Sequence, residues 1–80
     1  MTYLLGLIDR DVQPQRKRWH AVPAHWHMYY VRENYALGRE HRARARRFSS
    51  RAQVLAAAAP WREHWHVYVI RVASLRATRA

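Results

Sequence analysis

The segment A-H-W-H-M-Y-Y-V-R, Ala24 to Arg32, returns almost unchanged as E-H-W-H-V-Y-V-I-R, Glu63 to Arg71. Both copies are rich in aromatic and β-branched residues, which suit a pleated, partly buried surface better than a helix. Side chains on a strand alternate between its two faces, so each copy divides in two. In the first, Trp26, Met28 and Tyr30 share one face, and His25, His27, Tyr29 and Val31 the other; in the second, Trp65, Val67 and Val69 oppose His64, His66, Tyr68, Ile70 and Val72. The expected arrangement is two strands of similar burial, with the tryptophan side turned into the core and the histidines at a rim or on a half-wet face. The second copy is denser in β-branched residues and is the better candidate for a central strand. Two copies are too few for a solenoid.

Around these strands the other elements fall into place. The apolar run Tyr3 to Ile8 reads as a short N-terminal strand, and residues 9–18, which include I-D-R-D's acidic end and Q-P-Q-R-K-R, read as a linker centred on Pro14. Pro23 breaks any continuous ladder before the first copy. After the turn at Gly38, the stretch Arg39 to Phe48 alternates, with Arg42, Arg44 and Arg46 on one face and His41, Ala43 and Ala45 on the other: a strand carrying an arginine ladder. Leu37, His41, Ala45, Phe48, Ala52 and Leu55 also keep helical spacing, so one long central helix between two strands, over 35–59, is the alternative. On either reading a helix starts near Ser49 or Ser50, because Ser50 and Gln53 form the S-x-x-Q capping pattern ahead of an alanine-rich run. Ala52, Leu55, Ala56 and Ala59 are its expected inward stripe, and Pro60 its end. Residues 73–80 read as a flexible tail. The chain is thus expected to be one small basic α+β domain over 1–80: an antiparallel or mixed sheet of three to four strands with one helix packed on a face, in the order β-β-β-α-β.

The chain has no cysteine, so neither a disulfide framework nor a thiolate zinc module can hold the fold, and four tryptophans, five tyrosines and the aliphatic residues must do it. That suits a reducing cytoplasm. The longest apolar stretch, Tyr3 to Ile8, is too short to cross a bilayer, and no charged segment precedes it as in a signal peptide. A soluble, cytoplasmic protein without a membrane partner is expected.

The net charge is +10, and fourteen of the fifteen basic residues are arginine. Self-repulsion of this size destabilises a free domain and is usually tolerated where an anionic partner compensates it, which makes DNA or RNA the first expected partner. Part of the arginine and alanine usage is also what a GC-rich genome produces. Arg39, Arg42, Arg44, Arg46, Arg47 and Arg51 fall close together in the chain, and Arg16, Lys17 and Arg18 form a second basic group. Such a row can neutralise several phosphates without reading sequence, while Tyr29 and Tyr68 are candidates for stacking surfaces beside it. The competing reading is an interaction protein that docks on a host protein through aromatic and arginine residues, which are enriched at protein hot spots. Self-association is one form of it, with Tyr3 to Ile8 adding a strand to a second protomer in a homodimer.

The paired histidines invite a metal reading. On a strand H-x-H places two imidazoles on one face roughly 7 Å apart. Two such pairs make one zinc site only if they lie at the same end of neighbouring strands. In the expected hairpin, helix, strand order the adjacent copies are antiparallel, which puts the pairs at opposite ends. Only Glu40 and Glu63 stand nearby to orient imidazoles. No metal or other cofactor is expected. Nor is an enzyme: Asp9 and Asp11 are the sole aspartates, both near the N-terminus, a His41, Glu40 and Glu63 acid-base set has adjacency but no demonstrated geometry, and Gly6 and Gly38 make no phosphate loop.

The stretch R-R-F-S-S-R-A-Q-V-L-A-A-A, in which Phe48 leads, followed by W-R-E-H-W-H-V-Y-V-I-R-V, resembles the strand, F-S/T-x-R-A-x-x-x-A-A helix and closing strand of small uncharacterised proteins from phages of actinobacteria. More distantly it is similar to the small-sheet-plus-helix arm domains of phage integrases. The resemblance covers about Arg39 to Val72 and implies a phage-encoded DNA-binding or host-binding module. Unlike an arm domain, this chain carries its helix between strands and ends on a strand.

Overall fold

The structure is a computed structural model and describes residues 1–12 and 18–80. Five strands, β1 (Tyr3–Asp9), β2 (Met28–Arg32), β3 (Tyr35–Gly38), β4 (Trp65–Arg71) and β5 (Arg76–Arg79), form one sheet in the order β3-β2-β1-β4-β5. Every neighbouring pair is antiparallel. One helix, α1 (Arg51–Ala58), lies on one face, and short 3-10 turns stand at Trp19–Ala21, Ala24–Trp26, Arg39–Arg44 and Ala59–Trp61. The fold is α+β as expected, with five strands instead of three or four. Among the described residues no helix is long and apolar enough to cross a membrane.

β1 takes the centre because Leu4, Leu5, Leu7 and Ile8 are apolar on both sides of the strand, and all four are buried. Leu5 and Leu7 join Tyr30, Val67, Val69, Phe48, Val54 and Ala58 beneath the helix. Leu4 and Ile8 face the other way, with Tyr29, Tyr68 and Ile70 from the sheet and Trp19, Val22 and Ala45 laid over them. The N-terminal run therefore cannot add a strand to a second protomer. Its neighbours are β4 along its full length on one edge and β2 on the other, and Phe48 completes that second edge by exchanging two backbone hydrogen bonds with Tyr3, at 2.9 and 2.8 Å. The free edges belong to β3 and β5, each four residues long, as edge strands that avoid aggregation tend to be short.

The duplicated segment behaves as an equivalent pair in one respect and not in another. Tyr29 and Tyr68 are both opposite Gly6, so the copies sit level on either side of β1 and run in the same direction. The two histidine pairs thus lie toward one end of the sheet, not at opposite ends, but with β1 between them. The alternation holds in β4, where Trp65, Val67 and Val69 share the helix side and His66, Tyr68 and Ile70 the other. The expected rim or half-wet histidine face divides: His25 and His64 are exposed, whereas His27 and His66 are only 7% and 5% exposed. Trp26 is 44% exposed and stands in a 3-10 turn before β2 begins. Alternation tells which residues share a face, but the segment that covers the second face comes from elsewhere in the chain.

Residues 39–48 form neither a strand throughout nor a long helix. Arg39–Arg44 coils into a 3-10 turn with a kink at His41, and only the extended end pairs with the sheet, through Phe48 and through the Arg46 N–H, which donates to the Tyr30 carbonyl at 2.9 Å. The strand expected at the start of the phage-like segment is therefore absent. The helix start is as expected. Ser50 accepts a bond from the Gln53 N–H at 3.2 Å, while the Gln53 side-chain oxygen accepts from the N–H and hydroxyl of Ser49, both at 3.0 Å. With only eight residues, α1 buries Val54 and Ala58, one turn apart, and half-buries Leu55 and Ala57. Ala52, Ala56 and Ala59, expected inside, are exposed. Pro60 falls in the 3-10 turn after the helix.

The two ends of the described chain complete the picture. Residues 73–80, read from sequence as a tail, turn back after β4 and form β5, with Tyr68 opposite Arg79 and Ile70 opposite Ala77. Of the expected linker 9–18, Asp9 closes β1 and residues 13–17 lie outside the described residues.

Gly6 decides whether the second face can close. A Cβ there would stand 2.7 Å from the Trp19 ring and 2.7 Å from Ile70 Cδ1, closer than van der Waals contact allows. Gly6→Ala should cost about 1–3 kcal/mol as an overpacking change in a filled core, read as a fall in the urea midpoint with the slope preserved. An unchanged midpoint would show that Trp19 does not lie against β1.

Candidate nucleic-acid interface

Trp19 organises the face opposite the helix. Its ring lies against β1 at Gly6, and the indole stacks on His27 with centroids 3.8 Å apart. Its ring also meets Tyr29 edge-on at 5.6 Å and Tyr68 at 5.3 Å. These are favourable offset and edge arrangements of aromatic rings. His27 donates from Nε2 to the Trp19 carbonyl at 2.9 Å, which fixes its tautomer. Burial holds the His27 imidazole below its usual pKa, against the raising effect of the Trp19 and Val22 backbone, and with His20 and Arg39 lowering it further. On the far side of β4, Arg79 donates to His66 Nδ1 at 2.6 Å and lies near the Tyr68 ring. Burial raises the Tyr68 hydroxyl above its ordinary value, with Arg79 acting in the opposite sense.

Two clefts open beside Trp19 and share it and His20 as a common wall. The first encloses about 300 Å³ and is lined by the buried Leu4, Trp19, Tyr29 and Ile70 together with Val72, Leu75, Arg42, Ala43 and Arg47. The second, about 480 Å³, is lined by Arg18, Arg76 and Arg79 together with Tyr68, Ala77 and Thr78. His20 reaches the turn between β4 and β5, donating from Nε2 to the Leu75 carbonyl at 3.3 Å. Leu75 itself is 53% exposed and adopts a left-handed backbone at φ 55°, which costs a residue with a Cβ roughly 1–2 kcal/mol. Among the described residues, five arginines and a histidine line the two clefts, and no carboxylate does. Guanidinium groups beside apolar and aromatic side chains can offer hydrogen bonds to an anion and contact to an apolar group.

A third cleft, lined by Glu33, Asn34, Pro60, Trp61, His64 and Trp65, has mixed charge. Among the described residues no three His, Cys, Asp or Glu side chains converge as metal ligands. His27 and His66 are instead engaged with Trp19 and Arg79.

The arginine ladder expected along 39–48 is dispersed by the 3-10 turn. Arg42 and Arg47 line the first cleft, whereas the Arg46 guanidinium sits 5.4 Å over the Phe48 ring, which belongs to the helix-side core. Arg39, Arg44 and Arg51 are exposed and line neither cleft. Of the basic linker group, Arg18 lines the second cleft, and Arg16 and Lys17 lie outside the described residues. Tyr29 and Tyr68 are not open stacking platforms, being 4% and 1% exposed, yet each contributes to the wall of one cleft. Sequence reasoning missed Trp19, His20, Arg76 and Arg79. The R-A-T-R spacing of β5 carried a faint signal, since strand alternation could have been read there had the segment not been taken for a tail.

His27 gives this face a measurable pH signature. Its folded imidazole binds a proton more weakly than the unfolded side chain, whose pKa is about 6.5. Just below that value the unfolded chain holds more protons, so stability falls as pH is lowered through the unfolded pKa and levels off below the folded one. Urea midpoints measured between about pH 7.5 and 5 should decline less steeply for His27→Gln than for the unaltered chain. An identical decline in both would remove His27 as a source of the pH dependence.

No protein family, curated protein or solved structure matches this chain, so what this face can do is argued from its own residues.

Proposed function

We propose that the chain is a non-enzymatic nucleic-acid-binding module whose contact surface is the Trp19 face of the sheet. The observation that carries this reading is the lining of the two adjoining clefts: Arg18, Arg42, Arg47, Arg76, Arg79 and His20, with no acidic residue among them. The net charge of +10 supplies long-range attraction to a polyanion. Arginines held at cleft walls supply hydrogen bonds to phosphate oxygens, which position a nucleic acid without reading its sequence. A partner protein is the second reading, favoured by Trp26 at 44% exposure and by the cleft beside Trp61 and Trp65 on the other side of the molecule.

Salt dependence separates the two. Binding to a random oligonucleotide should weaken linearly on a log-log plot against salt with a slope of several units, because each neutralised phosphate releases about one counterion. Arg42→Gln, Arg47→Gln and Arg76→Gln combined should lower that slope by roughly two to three, whereas Arg44→Gln and Arg51→Gln, which line neither cleft, should change it by less than about one each. Absence of binding at about 50 mM salt would defeat the nucleic-acid reading and leave the protein-partner one.

A further inference from the structure

We infer that the first cleft takes a single unpaired nucleobase, so that the module prefers single-stranded to duplex nucleic acid; this rests on the nucleic-acid reading above. Phosphate contact alone accounts for the rim of the cleft and not for its floor. Leu4, Trp19, Tyr29 and Ile70, each at most 6% exposed, close the bottom of the cleft with apolar atoms, and the half-buried Val72 and exposed Leu75 line it together with Arg42 and Arg47. A phosphodiester seated on those arginines would leave the apolar space beside Val72 and Leu75 facing water. A base attached to the same strand fills it while its phosphate stays on the guanidinium groups. Charge complementarity and apolar complementarity then come from one ligand.

The dimensions and walls favour one base over a stacked column. About 300 Å³ is at the lower end of small-molecule clefts. A duplex offers base edges in its grooves and phosphates outside, but keeps the base faces inside the stack, so filling the cleft from a duplex requires extruding a nucleotide. An unpaired strand has its bases already free to stack on aromatic and apolar side chains. Leu75, exposed at the side of the cleft on a left-handed turn and tethered through its carbonyl to His20, adds an apolar wall without partner in the fold's two cores. Ala43, also exposed, lines the same cleft with only a methyl group.

The test compares two strands with identical phosphates. A fluorescently labelled deoxythymidine 12-mer and an abasic 12-mer of the same length are titrated by anisotropy at one salt concentration, with a 12-base-pair duplex as a third probe. The base-bearing strand should bind about tenfold or more tighter than the abasic one, the size expected for stacking of a single base. Ala43→Leu narrows the cleft with a side chain that cannot stack and should bring that ratio toward one, while Arg44→Gln should keep it; circular dichroism checks that both variants are folded. Equal affinity for base-bearing and abasic strands would overturn the inference and leave phosphate binding in place, as would a duplex bound as tightly as the thymidine strand. A ratio that survives in folded Ala43→Leu would also overturn it, by putting the base elsewhere. Binding to none of the three probes would overturn the nucleic-acid reading itself.

Discussion

The contact between the Trp19 indole and Gly6 is the constraint on which the open face of this protein depends. β1 is the central strand, and at its midpoint the chain carries the one residue that leaves a hollow in the sheet surface. The indole fills that hollow, flanked by the two tyrosines that the duplicated segment places level with Gly6. From this one placement follow the stacking and hydrogen bonding of His27, the burial of Val22, and the position of His20 against the turn before β5. A side chain at Gly6 would lift the whole segment, and with it the wall that the two clefts share.

An eighty-residue chain with no cysteine has little area with which to stabilise itself, and here both faces of the sheet are used. The helix covers one side with Val54 and Ala58, and the other is closed by irregular backbone and aromatic rings. That second cover is partial, which is why clefts remain there. Part of the positive charge stands at its margins: Arg18 before the first 3-10 turn, Arg42 and Arg47 from the 39–48 segment, and Arg76 and Arg79 from β5 line clefts to which none of the described carboxylates contributes. Their mutual repulsion in the free protein is the cost that an anionic partner would offset.

Strand β1, the alternation within β4, the Ser50–Gln53 cap and the cationic character could all be read directly from the chain. Each depends on neighbours one to four residues away, so periodicity and side-chain chemistry suffice. The candidate site was legible only in fragments. Arg42, Arg47, Arg18, Tyr29 and Tyr68 were singled out, but as an exposed ladder with platforms, while the arginines in fact line clefts whose floors the tyrosines help form from within the core. Arg44 and Arg46 have the same local pattern as Arg42 and end up elsewhere, because alternation assumes an extended strand and the Arg39–Arg44 segment coils.

What the sequence by itself determined, then, was the set of local structures and the sign of the charge: apolar runs that must be strands, a capped alanine helix, and cations far in excess of acids. Which side of each strand met water was settled only in three dimensions. His27 is covered by Trp19 and His66 stands against Arg79, each from another part of the chain, while His25 and His64 stay exposed, and no pattern within the copies encodes that cover. The joining of His20, Arg42 and Arg76 around shared walls was likewise a tertiary outcome. Strand order sets β3 and β5 at opposite edges, and it is the Trp19–Ala21 segment between them that joins residues so far apart in sequence, which leaves no periodic trace in it.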